Sequence, residues 1–182
     1  MKITGENSID ADQATVWAGL NNPDILRQSL PGCESLEQTG PNAFKATITT
    51  RIGPITARFN GNVELTDLNP PNSYTLVGSG SAGSMGGAKG AAKVRLVPDG
   101  AGTKLSYDVD ADMNGKIAQL GGRLIEGTVN MLAGQFFTRF GELVAAPDGA
   151  PPPVGRKSTT GWVPWVLVAL AALATGGALF FR

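Results

Sequence analysis

The chain has 182 residues, 15 basic and 15 acidic side chains, no histidine and a single cysteine, Cys33. This composition excludes a disulfide framework within the chain, the usual zinc ligand sets and every catalytic triad that needs histidine. The basic residues form neither a run nor a stripe, so we expect no nucleic-acid partner. Residues 1–146 have the length of one ordinary globular domain.

The first elements predicted are one strand and two short helices. Residues 2–9 alternate apolar and polar side chains, as a half-buried strand does. A first helix can be capped by Asp10 or Asp12, and a second helix starts within residues 21–24 and ends before Pro31.

Residues 34–113 have the pattern of an antiparallel sheet. Turn signatures rich in glycine, proline and asparagine interrupt this segment at the spacing of hairpins. When alternate residues are assigned to opposite faces, one face has no charged side chain and the other carries all of them. The pattern predicts about six strands in a sheet with one wet and one buried face.

Residues 115–144 carry apolar side chains at helical spacing over about eight turns. One apolar sheet face and one long helix must cover each other. The sequence therefore predicts an α+β helix-grip fold, in which a curved antiparallel sheet wraps around a long C-terminal helix.

The long predicted helix contains four glycines, each of which costs about 1 kcal/mol relative to alanine in a helix interior. We interpret them as bare backbone that packs closely on the sheet. The alternative concerns the pair Gly121 and Gly122, which can form a bend that lets part of the helix act as a lid. The other two glycines are Gly127 and Gly134.

Residues 162–181 form an uncharged run that spans about 30 Å as a helix, the thickness of a bilayer's hydrocarbon core. A buried core helix is the alternative, but such helices are rarely uncharged on all sides for so long. We therefore predict a single-pass C-terminal transmembrane helix at the cell membrane, joined to the domain by a Pro-rich linker, residues 147–161. Arg156 and Lys157 precede the run and only Arg182 follows it, which places the main domain in the cytoplasm.

The apolar face of the predicted sheet is rich in small side chains. One hairpin supplies six of them: Gly78, Gly80, Ala82, Ala88, Gly90 and Ala92. Side chains this small leave unfilled space under a curved sheet, and such space favours a cavity for an apolar ligand. The alternative is that small residues let the helix approach closely and the core packs without a ligand.

Little in the sequence supports catalysis. Cys33 has no histidine to activate it and is better interpreted as a small buried hydrophobe. We count Tyr107 as the only ionisable side chain on the apolar face, and a lone phenol beside a cavity more often anchors a ligand than catalyses. We therefore expect no enzymatic activity and no catalytic or metal-binding residue.

Several short motifs together carry a family resemblance. They are LPGC at residues 30–33, RIGP at 51–54, FxGxV at 59–63, GGAKGAA at 86–92 and GTKLSY at 102–107. In these motifs the chain resembles the G-subunit family of carbon monoxide dehydrogenase, which belongs to the START-like superfamily of helix-grip ligand-binding domains. The resemblance implies a partner, a molybdenum-containing carbon monoxide dehydrogenase or a related molybdenum hydroxylase, which the family brings to the membrane as an accessory protein.

The anchor and the cavity together suggest a link to the respiratory chain. We expect a quinone, menaquinone or ubiquinone, or a similar lipid to enter near residues 78–92 and bind in the cavity. One alternative is a plain membrane adaptor with a dry core, and another is a START-like cyclase or hydrolase, which the absence of an acid/base pair disfavours. The predicted ligand-binding residues are Phe44, Ile48, Phe59, Val63, Leu76, Gly78, Gly80, Gly90, Val94, Tyr107, Leu124 and Phe136.

Overall fold

The computed structural model describes residues 1–145. Seven strands form one sheet in the order β1-β7-β6-β5-β4-β3-β2, and all neighbouring pairs are antiparallel. In chain order the elements are β1 (Lys2–Ile9), α1 (Gln13–Leu20), α2 (Pro23–Ser29), β2 (Cys33–Gly40), β3 (Ala43–Ile52), β4 (Ile55–Asn69), β5 (Ser73–Ser81), a 3₁₀ turn (Gly83–Met85), β6 (Gly87–Asp99), β7 (Gly102–Asn114), α3 (Gly115–Gln119) and α4 (Gly122–Ala145). The predicted α+β architecture of an antiparallel sheet and a long C-terminal helix is confirmed.

The alternation of side chains along the strands sets the two faces of the sheet. On β4, for example, Ala57, Phe59 and Val63 are buried while Arg58 and Glu64 are exposed. Because the side-chain period of a strand is two, one register places most apolar side chains on the inner face; Val77 and Val97 are exposed exceptions. The inner face therefore packs against α4, and the outer face meets water.

The short helices begin where the sequence offers a capping side chain. Asp12 accepts a hydrogen bond from the Thr15 backbone N–H at 2.8 Å, and Asn22 accepts one from the Asp24 backbone N–H at 2.9 Å. These bonds satisfy N–H groups that the first helical turn leaves free. Of the two caps predicted for α1, Asp12 is the one that the structure uses.

The C-terminal helical segment is divided, in contrast to the single helix that we predicted. Helix α3 ends at Gln119, and α4 begins at Gly122 after Gly121, whose φ of 89° lies in the left-handed region. Glycine adopts that conformation without steric cost, whereas other residues rarely do. The bend that we gave as the alternative for the Gly121–Gly122 pair is therefore present.

The helical glycines do not provide close packing on the sheet, so our first interpretation of them was wrong. A Cβ atom added to Gly122, Gly127 or Gly134 would meet no atom of another part of residues 1–145 within 4 Å. These positions face open space because the buried stripe of α4 runs along its other side. By contrast, Gly19 of α1 does lie close to α4, since a Cβ there would approach Val144 Cγ1 at 2.7 Å.

The two ends of the sheet differ in what covers them. We call one end the tip: it comprises the β3–β4 turn (residues 51–55), the 3₁₀ turn with its flanks (residues 83–87), and α3 with the start of α4 (residues 115–124). A Cβ on Gly115 would lie 2.6 Å from the Gly86 Cα atom, which shows how closely the last two segments meet. The other end, which we call the far end, holds the remaining hairpin turns, the start of α1 and the end of α4.

No helix within residues 1–145 is long and apolar enough to cross a membrane. The predicted transmembrane helix at residues 162–181 and the predicted linker at residues 147–161 both lie outside the described residues.

Candidate functional site

Among the buried side-chain nitrogen and oxygen atoms of the described residues, one on the inner face of the sheet has no hydrogen-bond partner. Tyr107 of β7 is 2% exposed, and its Oη atom has no hydrogen-bond partner within residues 1–145. Burial raises the pKa of this phenol above its ordinary value, so the group is neutral and carries a proton that it can donate. A buried hydroxyl without a partner is rare in folded proteins and marks a place where a ligand atom or water can bind.

Aromatic side chains from α4 hold the Tyr107 ring in place. Phe137 stacks on it with ring centroids 6.4 Å apart and an interplanar angle of 16°. Phe136 contacts Phe137 edge to face, with centroids 5.1 Å apart, and Phe140 stacks on Phe136 with centroids 5.0 Å apart. Such ring pairs add about 0.5–1.5 kcal/mol each beyond their buried area. The ring of Tyr107 is therefore fixed while its hydroxyl is left unpaired.

A second tyrosine lies in the same row of the sheet, and the sequence reasoning passed over it. Tyr74 of β5 pairs with Val94 of β6, which in turn pairs with Tyr107. Tyr74 is also buried, which raises its pKa, and its ring packs edge to face on Trp17 of α1 with centroids 5.5 Å apart. Strand alternation already placed Tyr74 on the inner face, so the signal was available in the sequence. We assign Tyr74 to the core that joins α1 to the sheet.

Small residues lead from this row toward the tip. On β5, β6 and β7 the successive inward rows are Leu76, Ala92 and Val109, then Gly78, Gly90 and Ala111, then Gly80, Ala88 and Met113. The tip end of β7, at Asn114, is seven residues from Tyr107, or about 24 Å along the strand. We call these three rows the strip of small residues, because apart from Leu76, Val109 and Met113 they contain only glycine and alanine. The distance from Tyr107 to the tip matches the length of an extended apolar ligand.

Most of the predicted ligand-binding residues come together on the inner face. Tyr107 and ten others lie on strands or on the buried side of α4. Their side chains, apart from the glycines, belong to one continuous hydrophobic core. These ten are Phe44, Ile48, Phe59, Val63, Leu76, Gly78, Gly80, Gly90, Val94 and Phe136.

Leu124 does not face the interior, contrary to our expectation. Its side chain is 39% exposed and lies over the β3–β4 turn, where a Cβ on Gly53 would approach Leu124 Cδ2 at 2.7 Å. The cause is the break at Gly121, because α4 starts anew after it and turns Ile125 rather than Leu124 toward the sheet. When the apolar period of the sequence is applied across this break as if the helix were continuous, it assigns Leu124 to the wrong face of the helix.

Gly90 has a structural reason to be glycine that is independent of any ligand. A Cβ there would lie 2.5 Å from the Asp110 carbonyl oxygen and 3.0 Å from the Ala111 Cα atom, both in β7. Bulk at this position therefore disturbs the pairing of β6 with β7 before it fills any space below the sheet.

A groove of about 820 Å³ crosses the opposite, outer face of the sheet. Its rim carries Glu64, Lys89, Asp110 and Asp112, with Val77 among them. This surface is open and charged, so it does not have the character of a site for an apolar ligand.

The described residues offer little else for chemistry. Within residues 1–145 no three cysteine, aspartate or glutamate side chains are grouped so that they could hold a metal ion. Cys33 is half-buried, its thiol donates to the Ser35 carbonyl at 3.4 Å, and burial raises its pKa. A thiol of this kind is a poor nucleophile at neutral pH.

A curved antiparallel sheet around a long C-terminal helix, with an apolar inner face, defines a START-like helix-grip domain. A START superfamily protein from Mycobacterium smegmatis has this fold, with a TM-score of 0.58 and 15% identity over 78% of this chain and 98% of that one. So does the Zhui aromatase/cyclase from Streptomyces sp. R1128, with a TM-score of 0.57 and 12% identity over 79% and 93% of the two chains. At these identities the likeness concerns the fold alone.

The chain belongs to the CoxG family, the G-subunit family of carbon monoxide dehydrogenase, whose family model matches residues 5–145. A conserved protein from Geobacillus kaustophilus is similar in both sequence and structure. It has 29% identity and a TM-score of 0.75 over 80% of this chain and 95% of that one. No curated protein matches the chain.

Proposed function

We propose that this chain is an accessory protein of a molybdenum-containing carbon monoxide dehydrogenase or a related molybdenum hydroxylase. It is anchored in the cell membrane by residues 162–181 with its main domain in the cytoplasm, recruits the dehydrogenase there, and binds a quinone or similar lipid under the sheet. Family membership supports the dehydrogenase as partner. The START-like fold supports an apolar ligand, because concave apolar sites occur in such curved sheets.

The observation that carries the ligand proposal is the buried, unpaired hydroxyl of Tyr107. A quinone has an apolar tail and ring carbonyl oxygens that accept hydrogen bonds. The strip of small residues between the tip and Tyr107 would take the apolar part, and the Tyr107 hydroxyl would donate to a carbonyl oxygen. One hydrogen bond of this kind contributes about 1 kcal/mol and removes the cost of an unpaired buried group.

The proposed role is binding rather than catalysis. Of the titratable groups on the inner face within residues 1–145, the two buried tyrosines have pKa values raised by burial, which disfavours their use as bases. In this role the residues of the chain bind the apolar molecule, exclude water from it and orient its polar end.

A second candidate, a plain membrane adaptor with no ligand, is favoured by one specific observation. The side chains under the sheet form a continuous core, and three phenylalanines of α4 occupy the space beside Tyr107: Phe136, Phe137 and Phe140. In this alternative the small residues of the strip only bring the helix and sheet together.

The test is to purify the full chain in detergent from a quinone-producing host, extract it with organic solvent and quantify quinone per chain by mass spectrometry. We expect close to one quinone per chain, and a lower content in Tyr107→Phe than in the matched variant Tyr74→Phe. A chain that carries no quinone, and takes up none from quinone-loaded vesicles, would leave the adaptor as the function. Co-purification of the dehydrogenase in the same preparation tests recruitment separately.

A further inference from the structure

The tip carries positive charge only. Arg51 lies in the β3–β4 turn, Lys116 and Arg123 lie in residues 115–124, and none of the three segments contains an aspartate or glutamate. All three side chains are exposed, and none forms an ion pair with another residue of the described chain. The Arg51 Nε atom donates to the Gly53 carbonyl at 3.0 Å, which holds this side chain at the β3–β4 turn beside Leu124.

The turns of the far end carry negative charge only. Together with the start of α1 they comprise residues 9–13, 40–43, 66–73 and 97–103, which contain four aspartates and no lysine or arginine. Hydrogen bonds join these segments, including Gln13 Nε2 to Asn72 Oδ1 at 3.1 Å and Thr103 Oγ1 to the Ala11 carbonyl at 2.7 Å. The aspartates are Asp10, Asp12, Asp67 and Asp99. The segments at the two ends of the sheet therefore have opposite charges, although the whole chain has no net charge.

The tip also exposes apolar side chains among its cations. Leu124 is 39% exposed, and Met85 and Leu120 are only partly buried. Helix α4 begins here with Arg123 and no acidic residue in its first turn, although acidic residues are favoured at helix N-termini. The first turn of α4 therefore adds no negative charge to the tip. Exposed cations beside apolar side chains are typical of surfaces that lie on anionic membranes.

The geometry of the chain permits the tip to reach the membrane that holds the anchor. Helix α4 runs from the tip to the far end over 24 residues, about 36 Å. The predicted anchor follows after residues 146–161, and an extended Pro-rich segment of that length spans up to about 50 Å. This length exceeds the length of α4, so the tether is long enough to pass back along the domain.

We propose that the tip docks on the anionic surface of a phospholipid bilayer, with Arg51, Lys116 and Arg123 at the lipid phosphates and Leu124 and Met85 between headgroups. The proposal rests on the membrane-anchored function above and adds an orientation to it. In this orientation the tip end of the strip of small residues faces the bilayer, so an apolar ligand that enters there passes between lipid and Tyr107 without crossing water. The acidic turns of the far end point away, because an anionic surface repels them.

The experiment uses the full chain reconstituted in vesicles, with Cys33→Ser and a single new cysteine that carries an environment-sensitive fluorophore. Ser84→Cys labels the tip and Ala101→Cys labels the far end, and both native side chains are exposed. Vesicles of phosphatidylcholine alone are compared with vesicles that also contain phosphatidylglycerol. The emission shift and the quenching by spin-labelled lipid report whether each label lies at the bilayer.

We expect the tip label to enter the headgroup region only in vesicles with phosphatidylglycerol, while the far-end label stays in water. Arg51→Gln, Lys116→Gln and Arg123→Gln together should lower the equilibrium constant for docking on the order of 100-fold, since each basic residue near an anionic surface raises that constant about fivefold. The matched control removes three cations of the outer face: Lys45→Gln, Lys93→Gln and Arg95→Gln. It should dock as the parent chain does.

A tip label that stays in water on anionic vesicles, a far-end label at the bilayer, or equal docking by the two triple variants overturns the proposal. If a purified dehydrogenase, rather than phosphatidylglycerol, moves the tip label into an apolar environment, the tip is a protein interface and the membrane proposal fails. Quinone content measured in detergent separates this outcome from failure of ligand binding, because neither result depends on the other.

Discussion

Tyr107 stacks its ring on Phe137 at a centroid distance of 6.4 Å, while the hydroxyl group of that ring has no hydrogen-bond partner within residues 1–145. The ring contact stabilises the fold, and the unpaired hydroxyl costs about 1–3 kcal/mol. A phenylalanine would keep the contact and remove the cost. Departures of this kind from optimal stability are expected at functional sites.

The first prediction concerns Tyr107→Phe. Loss of the hydroxyl should leave the free energy of unfolding of the ligand-free chain unchanged or raise it by about 1 kcal/mol, because an unpaired polar group disappears. The same variant should bind quinone about fivefold to tenfold more weakly, because one hydrogen bond is lost. Chemical denaturation and quinone titration, both in the same detergent, measure the two effects.

Tyr74→Phe is the matched control for this prediction, because it removes the same atom two strands away in the same row. It should leave quinone affinity at the parent value. Equal loss of affinity in both variants would contradict the assignment of the hydrogen bond to Tyr107.

The second prediction concerns alkaline pH. Burial raises the pKa of both Tyr74 and Tyr107, whereas tyrosines of the unfolded chain titrate near pH 10. Above that pH the unfolded chain releases protons that the folded chain keeps, so the free energy of unfolding must fall as pH rises. Each tyrosine contributes a slope of up to about 1.4 kcal/mol per pH unit. Denaturation from about pH 9 to about pH 11 should show this fall in the parent chain and a shallower one in Tyr74→Phe/Tyr107→Phe.

The third prediction concerns the glycines of α4. Gly127→Ala and Gly134→Ala should each raise the free energy of unfolding by about 1 kcal/mol, because a Cβ at either position crowds no neighbour in the part of the chain that the structure describes and alanine favours the helix. Thermal unfolding and denaturant titration measure the change. Gly19→Ala is the opposite case, since its Cβ would press on Val144 and Phe140, and it should lower stability. A loss of stability in Gly127→Ala would show that this face of α4 is covered.

The fourth prediction concerns Gly90. Alanine at this position should lower stability by more than about 1 kcal/mol, because its Cβ meets the β7 backbone at the Asp110 carbonyl. Ala91→Ser, at the neighbouring exposed position, should change stability by less than about 0.5 kcal/mol. A Gly90→Ala variant as stable as the parent chain would contradict this prediction. It would show that β6 and β7 can move apart enough to accept the added methyl group.

The strand faces were accessible from the sequence because a strand has a side-chain period of two. Phe44 and Lys45, or Phe59 and Arg58, differ by one position and point to opposite faces whatever the neighbouring strands are. The caps were accessible for a similar reason, since a capping bond joins residues two or three positions apart, as Asp12 and Thr15 show. Both kinds of feature depend on local geometry alone.

The face of α4 that packs on the sheet could not be predicted by the same local reasoning. The apolar spacing of residues 115–144 fits one helix, and in one helix Leu124 faces the sheet. The positive φ of Gly121 interrupts the helix and changes its phase, so that Leu124 lies over Gly53 instead. A glycine permits this conformation but does not require it, and only packing at the tip selects it.

The sequence by itself therefore determined the class of fold, the order of its elements and the family, because each follows from periodicity or from motifs a few residues long. Tertiary structure decided the two features on which the proposals rest. Whether the Tyr107 hydroxyl has a partner depends on atoms from every element around it. The separation of charge also depends on the fold, since Arg51 is far along the chain from Lys116 and Arg123 and joins them at the tip only because hairpins return strands to the same end. Local pattern cannot encode contacts between distant segments, and those contacts define the site.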